Sequence, residues 1–419
     1  MIFYKLESRK MARLLAILCC VTYIGSYLTR INFGAVTVEI INSMGWDKPS
    51  VSAFTTGLFI TYGIGQLISG WLCDRYSPTK IMLGGFVVSI AMNLAIPFCP
   101  TIPAMTAVWC VNGFAQAMMW PPIVRILAGY CHSKDYQEAS MIVTWGCSIG
   151  TLAVYLLSSL CIMISGWKLV FFVSAALAAL ICIGFCVFFP KIAAYAEANR
   201  RIDNPETPDT PVENKPAEKM PRALYWVLGV MLLAVIILGA LRDSITTWLP
   251  NYVSEIFNMG SEAAILSGVV LPLINIIIYP FVLKYYRRFF TNELTCAASI
   301  YGISTVAAVI LYFTYSSGAV LSIILLSAIC AGMHAANFML ISLVPKRFSR
   351  YGNVGLISGV VNSFVYVGSA ISIWGIASIA ENFGWQTTIA VWMVASFCAI
   401  IFCIAVARKW GEIMNRKKK

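Results

Sequence analysis

Runs of about 20 apolar residues, separated by short polar segments, recur along the whole 419-residue chain. Each run has the length of a helix that crosses a bilayer, where every backbone polar group must be bonded inside the protein. Only 11% of the residues are charged and 59% are hydrophobic, which soluble domains rarely show. We therefore predict an all-α membrane protein with twelve transmembrane helices, at residues 14–38, 50–72, 81–99, 103–129, 140–164, 167–189, 224–252, 262–283, 294–315, 319–344, 353–380 and 386–407.

The basic side chains are distributed unevenly between the segments that connect these runs. If the N-terminus is cytoplasmic, all of the 30 lysines and arginines fall on the cytoplasmic side except Lys48, Lys168, Arg30 and Arg242. The positive-inside rule then predicts a multi-pass inner-membrane protein with both termini in the cytoplasm. The net charge of +12 thus indicates topology rather than nucleic-acid binding, and the basic tail at 417–419 is expected to contact anionic lipid.

A long polar segment at 190–222, rich in Pro, Glu, Asn and Lys, divides the runs into two groups of six. Its composition is typical of a flexible linker. It predicts an N-terminal six-helix bundle at 1–189, a cytoplasmic linker at 190–222, and a C-terminal six-helix bundle with a basic tail at 223–419. The two halves resemble each other, since a Gly-Trp pair stands at the start of the sixth run, Gly166-Trp167, and at the start of the twelfth, Gly384-Trp385. Such paired bundles are typical of secondary transporters that bind their substrate at the interface of the repeats.

Two arginines, Arg30 and Arg242, lie inside apolar runs at equivalent places in the two halves. Each costs about 2.5–3.5 kcal/mol at the centre of a membrane helix, so a functional role is the default hypothesis. A guanidinium donates in a fork that matches phosphate or carboxylate. Tyr23 and Tyr27 precede Arg30 at i, i+4, i+7 spacing, which predicts one helical face. We therefore predict that both arginines hold one small-molecule anion.

Other polar and aromatic side chains at i, i+4 spacing are predicted to line this site: Tyr62 and Gln66, Gln116 and Trp120, Asn362 and Tyr366. Pro121 and Pro122 are expected to interrupt the fourth helix.

Two further residues have alternative interpretations. His334, three residues before Asn337, either lines the site or makes a hydrogen-bonded helix contact. Asp243 is either a proton-coupling carboxylate or a structural partner, and its direction is expected to differ from that of Arg242 by about 100°.

The loop after the second run contains Gly70, Asp74, Arg75 and Lys80 and resembles the signature loop of the major facilitator superfamily. Asp74 is placed to pair with a cation or to cap a helix N-terminus. We expect Asp74 and Arg75 to take part in a cytoplasmic gate. Glu138, in the loop predicted before the fifth helix, is expected to add a gate contact.

Four segments resemble the organophosphate:phosphate antiporters, which include the glycerol-3-phosphate and hexose-phosphate transporters. They are Tyr23-x3-Tyr27-x2-Arg30-x-Asn32-Phe33, Gly113 to Arg125 with its Trp120-Pro121-Pro122, Arg242 with Trp248 to Tyr252, and Phe364 to Gly368. The resemblance implies the twelve-helix major facilitator fold and alternating access. It also implies that Arg30 and Arg242 hold a substrate phosphate, and that Tyr23, Tyr27, Tyr62, Trp120 and Tyr366 line the site.

Three positions depart from the glycerol-3-phosphate branch of that family. The branch has lysines where this chain has Ile31 and Gln66, and it has a histidine in the fifth helix, where residues 140–164 contain none. A close charge in a partly dry cavity is worth several kcal/mol. The site is therefore expected to suit a less highly charged anion, or one that also carries a cation.

These observations predict a secondary active transporter of a small organic anion, in particular a phosphorylated metabolite, coupled to inorganic phosphate or to protons. A membrane sensor of a sugar phosphate that partners a kinase, and a proton-coupled symporter of an organic acid, are the alternatives. The sequence shows no nucleophile-base constellation, phosphate-binding glycine loop or metal-ligand cluster, so we expect neither an enzyme nor a cofactor or metal. We expect a monomer in the lipid bilayer.

Overall fold

A computed structural model describes residues 3–46, 48–203, 218–259 and 261–414, and these form helices and turns without a strand. The α-helices are α1 Arg9–Leu28, α2 Asn32–Ala35, α3 Thr37–Met44, α4 Lys48–Arg75, α5 Pro78–Ala95, α6 Ile102–Gln116, α7 Trp120–Tyr130, α8 Ser133–Ser165, α9 Trp167–Asp203, α10 Arg222–Phe257, α11 Ser261–Phe289, α12 Glu293–Thr314, α13 Ala319–Asn337 and α14 Val354–Met414. A π-helix at Phe338–Leu343 and a 3₁₀ segment at Val344–Tyr351 follow α13. The centre of the predicted linker and the tail at 417–419 lie outside the described residues.

Within the described part, 10 helices are long and apolar enough to cross a membrane. They match every predicted span except 50–72 and 103–129. The first of these is the long helix α4, which carries Thr, Gly and Gln among its apolar residues, and the second is divided between α6 and α7. The all-α membrane class is confirmed, and the count of twelve stays a prediction.

The fourth predicted span is interrupted directly before its two prolines, as expected. Helix α6 ends at Gln116, and α7 begins at Trp120 with Pro121 and Pro122 in its first turn. Proline suits a first turn because the backbone N–H that it lacks would have no partner within the helix. The carbonyl of Ala117 in the break accepts a hydrogen bond from Gln66 Nε2 at 3.2 Å.

The prediction of one continuous helix over 14–38 is wrong. Helix α1 ends at Leu28, Arg30 lies in a turn, and the short helix α2 follows. The Thr29 hydroxyl lies 3.2 Å from the carbonyls of both Gly25 and Ser26, a local contact that competes with regular helix. Arg30 therefore lies at a break rather than on a continuous helical face.

Two glycines at equivalent places of the halves have left-handed backbone conformations. Gly166 separates α8 from α9 with φ 80°, and Gly384 kinks α14 with φ 78°. Only glycine adopts such angles without steric cost. Each is followed by a buried tryptophan, Trp167 or Trp385, and the predicted openings of the sixth and twelfth helices are confirmed.

The chain divides into two compact units, which we treat separately. The first unit is Met1–Glu218 with Phe348–Ser363, and the second is Lys219–Arg347 with Phe364–Lys419. In the first unit α1 packs against α8 and α4 against α6, and in the second α13 packs against α10, α11 and α12. The segment 348–363, predicted to belong to the C-terminal bundle, thus groups with the N-terminal helices. The predicted limits 1–189, 190–222 and 223–419 stay a prediction.

A buried carboxylate ties together several helices of the second unit. Glu293, only 3% exposed, accepts hydrogen bonds from Arg347 Nε at 2.6 Å, from the Tyr286 hydroxyl at 3.1 Å and from Trp410 Nε1 at 3.0 Å. A buried charge is tolerated when it is paired and hydrogen-bonded in this way. The sequence analysis missed this cluster, because Glu293 stands at the edge of a predicted span and looks like an ordinary boundary charge.

Candidate functional site

Four other predicted site residues meet in the first unit around Arg30, which is almost fully buried. The guanidinium carbon lies 4.3 Å from the ring centre of Tyr27 and 5.0 Å from that of Tyr62. Tyr23 packs on Tyr27 and on Trp120, each at 5.2 Å between ring centres. Cation–π contacts of this kind stabilise a guanidinium that is removed from water. We call these five residues the Arg30 cluster.

The turn that carries Arg30 is fixed on both sides by neighbouring helices. Because the helix breaks there, the Thr29 carbonyl is available to accept hydrogen bonds from the side-chain amides of Asn93 and Asn112, both at 2.9 Å. After the turn, the ring of Phe33 packs against the rings of Phe54, Trp109 and Phe171. Arg30 is thus held by bonds from other helices and not by helical propensity alone.

Gln116, predicted to line the site, lies in a fully buried set of hydrogen bonds. Its Oε1 accepts from Ser26 at 2.6 Å, and its Nε2 donates to Thr29 Oγ1 at 2.7 Å and to Ser89 Oγ at 2.6 Å. We call this set the Thr29 network: Ser26, Thr29, Asn32, Ser89, Asn93, Asn112 and Gln116. Apart from Gln116 its members were not predicted as functional, although asparagines within the apolar runs 81–99 and 103–129 were a signal.

Two neutral side chains of the predicted site each have one buried polar atom that lacks a hydrogen-bond partner among the described residues. These atoms are Nε1 of Trp120, in the Arg30 cluster, and Oε1 of Gln66 on α4. A buried polar atom without a partner costs about 1–3 kcal/mol. One donor and one acceptor are therefore available for a ligand.

The second unit holds Arg242 in a different environment. Its Nε donates to Asp243 Oδ1 at 2.6 Å and its Nη2 to Asp243 Oδ2 at 2.9 Å, a two-bond ion pair. Nη1 donates to Asn337 Oδ1 at 3.2 Å, and the Ser369 hydroxyl donates to Asp243. Asp243 was expected to differ in direction from Arg242 by about 100°, and the two charged groups nevertheless meet, because the long arginine side chain reaches its neighbour. We call these four residues the Arg242 cluster.

His334 lies one turn before Asn337 on α13 and is within hydrogen-bond distance of another helix. Its Nδ1 is 3.3 Å from the hydroxyl of Tyr279 on α11. The contact fits the structural interpretation of His334 and leaves its site role a prediction. Tyr279 was not predicted, since nothing distinguishes it from the other aromatics of the apolar runs.

Asn362 and Tyr366, four residues apart on α14, fall in different units. Asn362 is buried in the portion that groups with the first unit, whereas Tyr366 is half-buried in the second. Their predicted shared role in substrate binding stays a prediction.

Asp74 makes both kinds of contact that were predicted for it, an ion pair with a cation and a cap on a helix N-terminus. Its Oδ1 accepts from the backbone amide of Gly355 at 2.9 Å and its Oδ2 from that of Leu356 at 2.7 Å, at the N-terminus of α14. Arg125 Nε lies 3.2 Å from Oδ1. Burial raises the pKa of Asp74, which lies beyond the span predicted at 50–72, while the two amides and Arg125 act in the opposite direction.

Glycines allow α4 and the start of α14 to approach closely beside this carboxylate. A Cβ at Gly355 would lie 2.7 Å from the Gly70 carbonyl oxygen, and one at Gly359 would lie 2.2 Å from that of Gln66. Real side chains do not tolerate such distances, so both positions require glycine.

The other two predicted gate residues make contacts within the first unit. The Arg75 guanidinium lies 4.1 Å from the ring centre of Trp71, on its own helix. Glu138 is not in a loop, because α8 already begins at Ser133. Its two oxygens accept hydrogen bonds from Arg9 and Arg13 of α1, both at 2.6 Å. A gate role for either residue stays a prediction.

Comparison of the chain with known protein families matches most of its length to one family. Residues 16–372 match the family model described as Major Facilitator Superfamily. The chain belongs to this superfamily.

Individual relatives agree with the resemblance to organophosphate:phosphate antiporters. The chain is 23% identical to the glycerol-3-phosphate transporter of Bacillus subtilis over 407 residues, which cover 91% of this chain and 88% of the relative. It is 27% identical to the "probable hexose phosphate transport protein" of Chlamydia muridarum over 195 residues, 46% of this chain and 40% of that protein. A membrane sensor protein of Salmonella typhimurium is 24% identical over 152 residues, 36% of this chain and 34% of the relative. The alignments with the hexose phosphate and sensor relatives thus span less than half of those proteins.

Proposed function

We propose that the protein is a secondary active transporter of a small organic phosphate in the cytoplasmic membrane. In this proposal one anion is held by both Arg30 and Arg242, and alternating access carries it across the bilayer. The aromatic rings of the Arg30 cluster exclude water from the anion, which strengthens its attraction to the guanidinium. The substrates named for the relatives support the chemical class.

The observation that carries this proposal is the burial of Arg30 at a helix break that other helices stabilise. A buried charge is expensive, and here the fold adds a fully buried polar network beside it. Preorganisation of this kind is what an oxyanion site requires. The unpartnered Nε1 of Trp120 adds a neutral donor in the same cluster.

Uptake by purified protein in liposomes tests the proposal. Vesicles loaded with or without inorganic phosphate are given labelled glycerol 3-phosphate or glucose 6-phosphate. We expect uptake by the wild type and loss of most of it in Arg30→Lys, because lysine keeps the charge but lacks the planar fork that binds two oxygens. Arg408→Lys is the matched control, since Arg408 is 93% exposed and pairs with Glu412 of its own helix, and it should transport normally.

Normal uptake by Arg30→Lys would remove Arg30 from the binding role. A wild type that binds an ester without moving it across the vesicle membrane would instead favour the sensor alternative, which the similarity to a membrane sensor protein keeps under consideration.

A further inference from the structure

Arg242 is already bound by a carboxylate in this structure. Both arms of its fork donate to Asp243, at 2.6 and 2.9 Å, so the geometry suited to a phosphate is filled by protein. The pair is shielded from solvent, with the arginine side chain 15% exposed and the aspartate 25% exposed. An incoming anion must therefore either displace Asp243 from these donors or share the guanidinium with it.

The surroundings of this pair in the second unit are polar but contribute no second carboxylate among the described contacts. From α13, His334 and Cys330 interact electrostatically with both members, and Asn337 accepts from Arg242. From α14, Ser369 donates to the carboxylate. From α11, the Tyr279 hydroxyl lies 3.3 Å from His334 Nδ1. Asp243 is the carboxylate that bonds directly to Arg242.

Two negative groups cannot share one buried guanidinium without strong repulsion. Like charges that approach within a few ångströms at low dielectric force one of them to take up a proton. We propose that Asp243 takes up one proton when an organic phosphate binds Arg242, so that proton and anion cross the membrane together. This inference rests on the proposed function.

The proton balance is simple. Before binding, Arg242 and the Asp243 carboxylate form a neutral pair. On binding, a proton moves from water to a carboxylate oxygen of Asp243, the carboxyl group becomes neutral, and phosphate oxygens replace it on the guanidinium. Release of the anion restores the ion pair and returns the proton to water. By linkage, a proton on Asp243 favours anion binding as much as the anion favours the proton.

The same pair keeps Arg242 neutral on the return step. In the empty protein Asp243 takes the place of the anion on this arginine, so at Arg242 the return step needs no counter-anion.

Calorimetry on the purified full-length protein tests the proton step directly. Binding of glycerol 3-phosphate is measured at pH 8 in two buffers of different ionisation enthalpy, well above the phosphate pKa of about 6. The difference between the heats gives the protons taken up. We expect about one proton per ester for the wild type and about none for Asp243→Asn, which mimics the protonated carboxyl.

Glu255→Gln is the matched control, because Glu255 lies on the same helix and bonds to Trp385 Nε1. It should take up the same proton as the wild type. In liposomes clamped at zero potential, each unit of inside-alkaline pH gradient should drive about tenfold more accumulation by the wild type and by Glu255→Gln. Asp243→Asn should lose this response.

Binding by the wild type without proton uptake, or equal uptake by the wild type and Asp243→Asn, would overturn the inference and leave the proposed function standing. Failure of the wild type to bind either glycerol 3-phosphate or glucose 6-phosphate would overturn both. Should Asp243→Asn not elute as folded protein, Asp243→Ser removes the same titratable group and the same two results apply.

Discussion

Arg30 and Arg242 carry the same charge but have different neighbours. Arg30 lies against the rings of Tyr27 and Tyr62, whereas Arg242 forms two bonds with Asp243. Aromatic rings attract a cation without neutralising it, and a carboxylate neutralises it. In our account the two residues therefore bind one anion in different surroundings: Arg30 binds it among aromatic rings, and Arg242 binds it after Asp243 is protonated.

A third residue, Gln66, is predicted to determine how much negative charge the preferred substrate carries. Gln66→Lys can keep the donor to the Ala117 carbonyl while adding a positive charge on α4. We expect the variant to favour dianionic glycerol 3-phosphate over its monoanionic methyl ester by at least about 1 kcal/mol, roughly fivefold more than the wild type does. The measurement is competition by each compound against labelled uptake. Gln386→Lys, at an exposed position, is the control, and an unchanged profile in Gln66→Lys would contradict our explanation of the family departures.

Breaks in helices position the side chains of the first unit. The turn between α1 and α2 carries Arg30, and the interruption between α6 and α7 precedes Trp120. Each break leaves a carbonyl without a helical partner, and side-chain amides of other helices bind it, Asn93 and Asn112 in one case and Gln66 in the other. Irregular backbone at membrane depth is tolerated only when it is satisfied in this way.

The Thr29 network should therefore contribute measurably to stability. Gln116→Leu removes three hydrogen bonds: the Ser26 hydroxyl loses its acceptor, and the Thr29 and Ser89 hydroxyls each lose a donor. We expect a loss of about 1–3 kcal/mol for each group left unpaired in the core, seen as a lower midpoint of thermal unfolding in detergent. Gln386→Leu at the exposed position should leave the midpoint unchanged. A midpoint for Gln116→Leu equal to that of the wild type would show that the network is not needed for the break.

The N-terminus of α14 is capped by Asp74, and the strength of this cap can be measured. Asp74→Asn weakens the cap on Gly355 and Leu356 and removes the charge that faces Arg125. We expect at least about threefold faster hydrogen exchange in peptides from 353–363, because a charge-assisted cap is worth about 1 kcal/mol or more. Arg408→Gln should leave this exchange unaltered, since Arg408 is 93% exposed and pairs with Glu412 near the other end of α14. Equal exchange in the wild type and in Asp74→Asn would contradict the cap.

For the molecule as a whole, the sequence predicts those features that depend on local composition, namely the membrane helices and the buried charges. Apolar length predicted the membrane helices, and the burial cost of a charge singled out Arg30 and Arg242. The turn at Arg30 was not predictable, because it is held by Asn93 and Asn112 from distant segments of the chain. The pairing of Arg242 with Asp243 was missed for another reason: helical spacing fixes where a Cα lies, but not where a long arginine side chain ends.

If Arg30 and Arg242 hold the same anion, each must contribute to the affinity with which it binds. The dissociation constant for glycerol 3-phosphate is measured by calorimetry for the wild type, Arg30→Gln, Asp243→Asn and the charge-balanced double variant Arg242→Gln/Asp243→Asn. We predict that Arg30→Gln and the double variant each bind at least about tenfold more weakly, a loss of about 1.4 kcal/mol. Asp243→Asn alone should bind at least as tightly as the wild type, because its neutral amide does not compete with the anion for Arg242. Wild-type affinity in either arginine variant would contradict the claim.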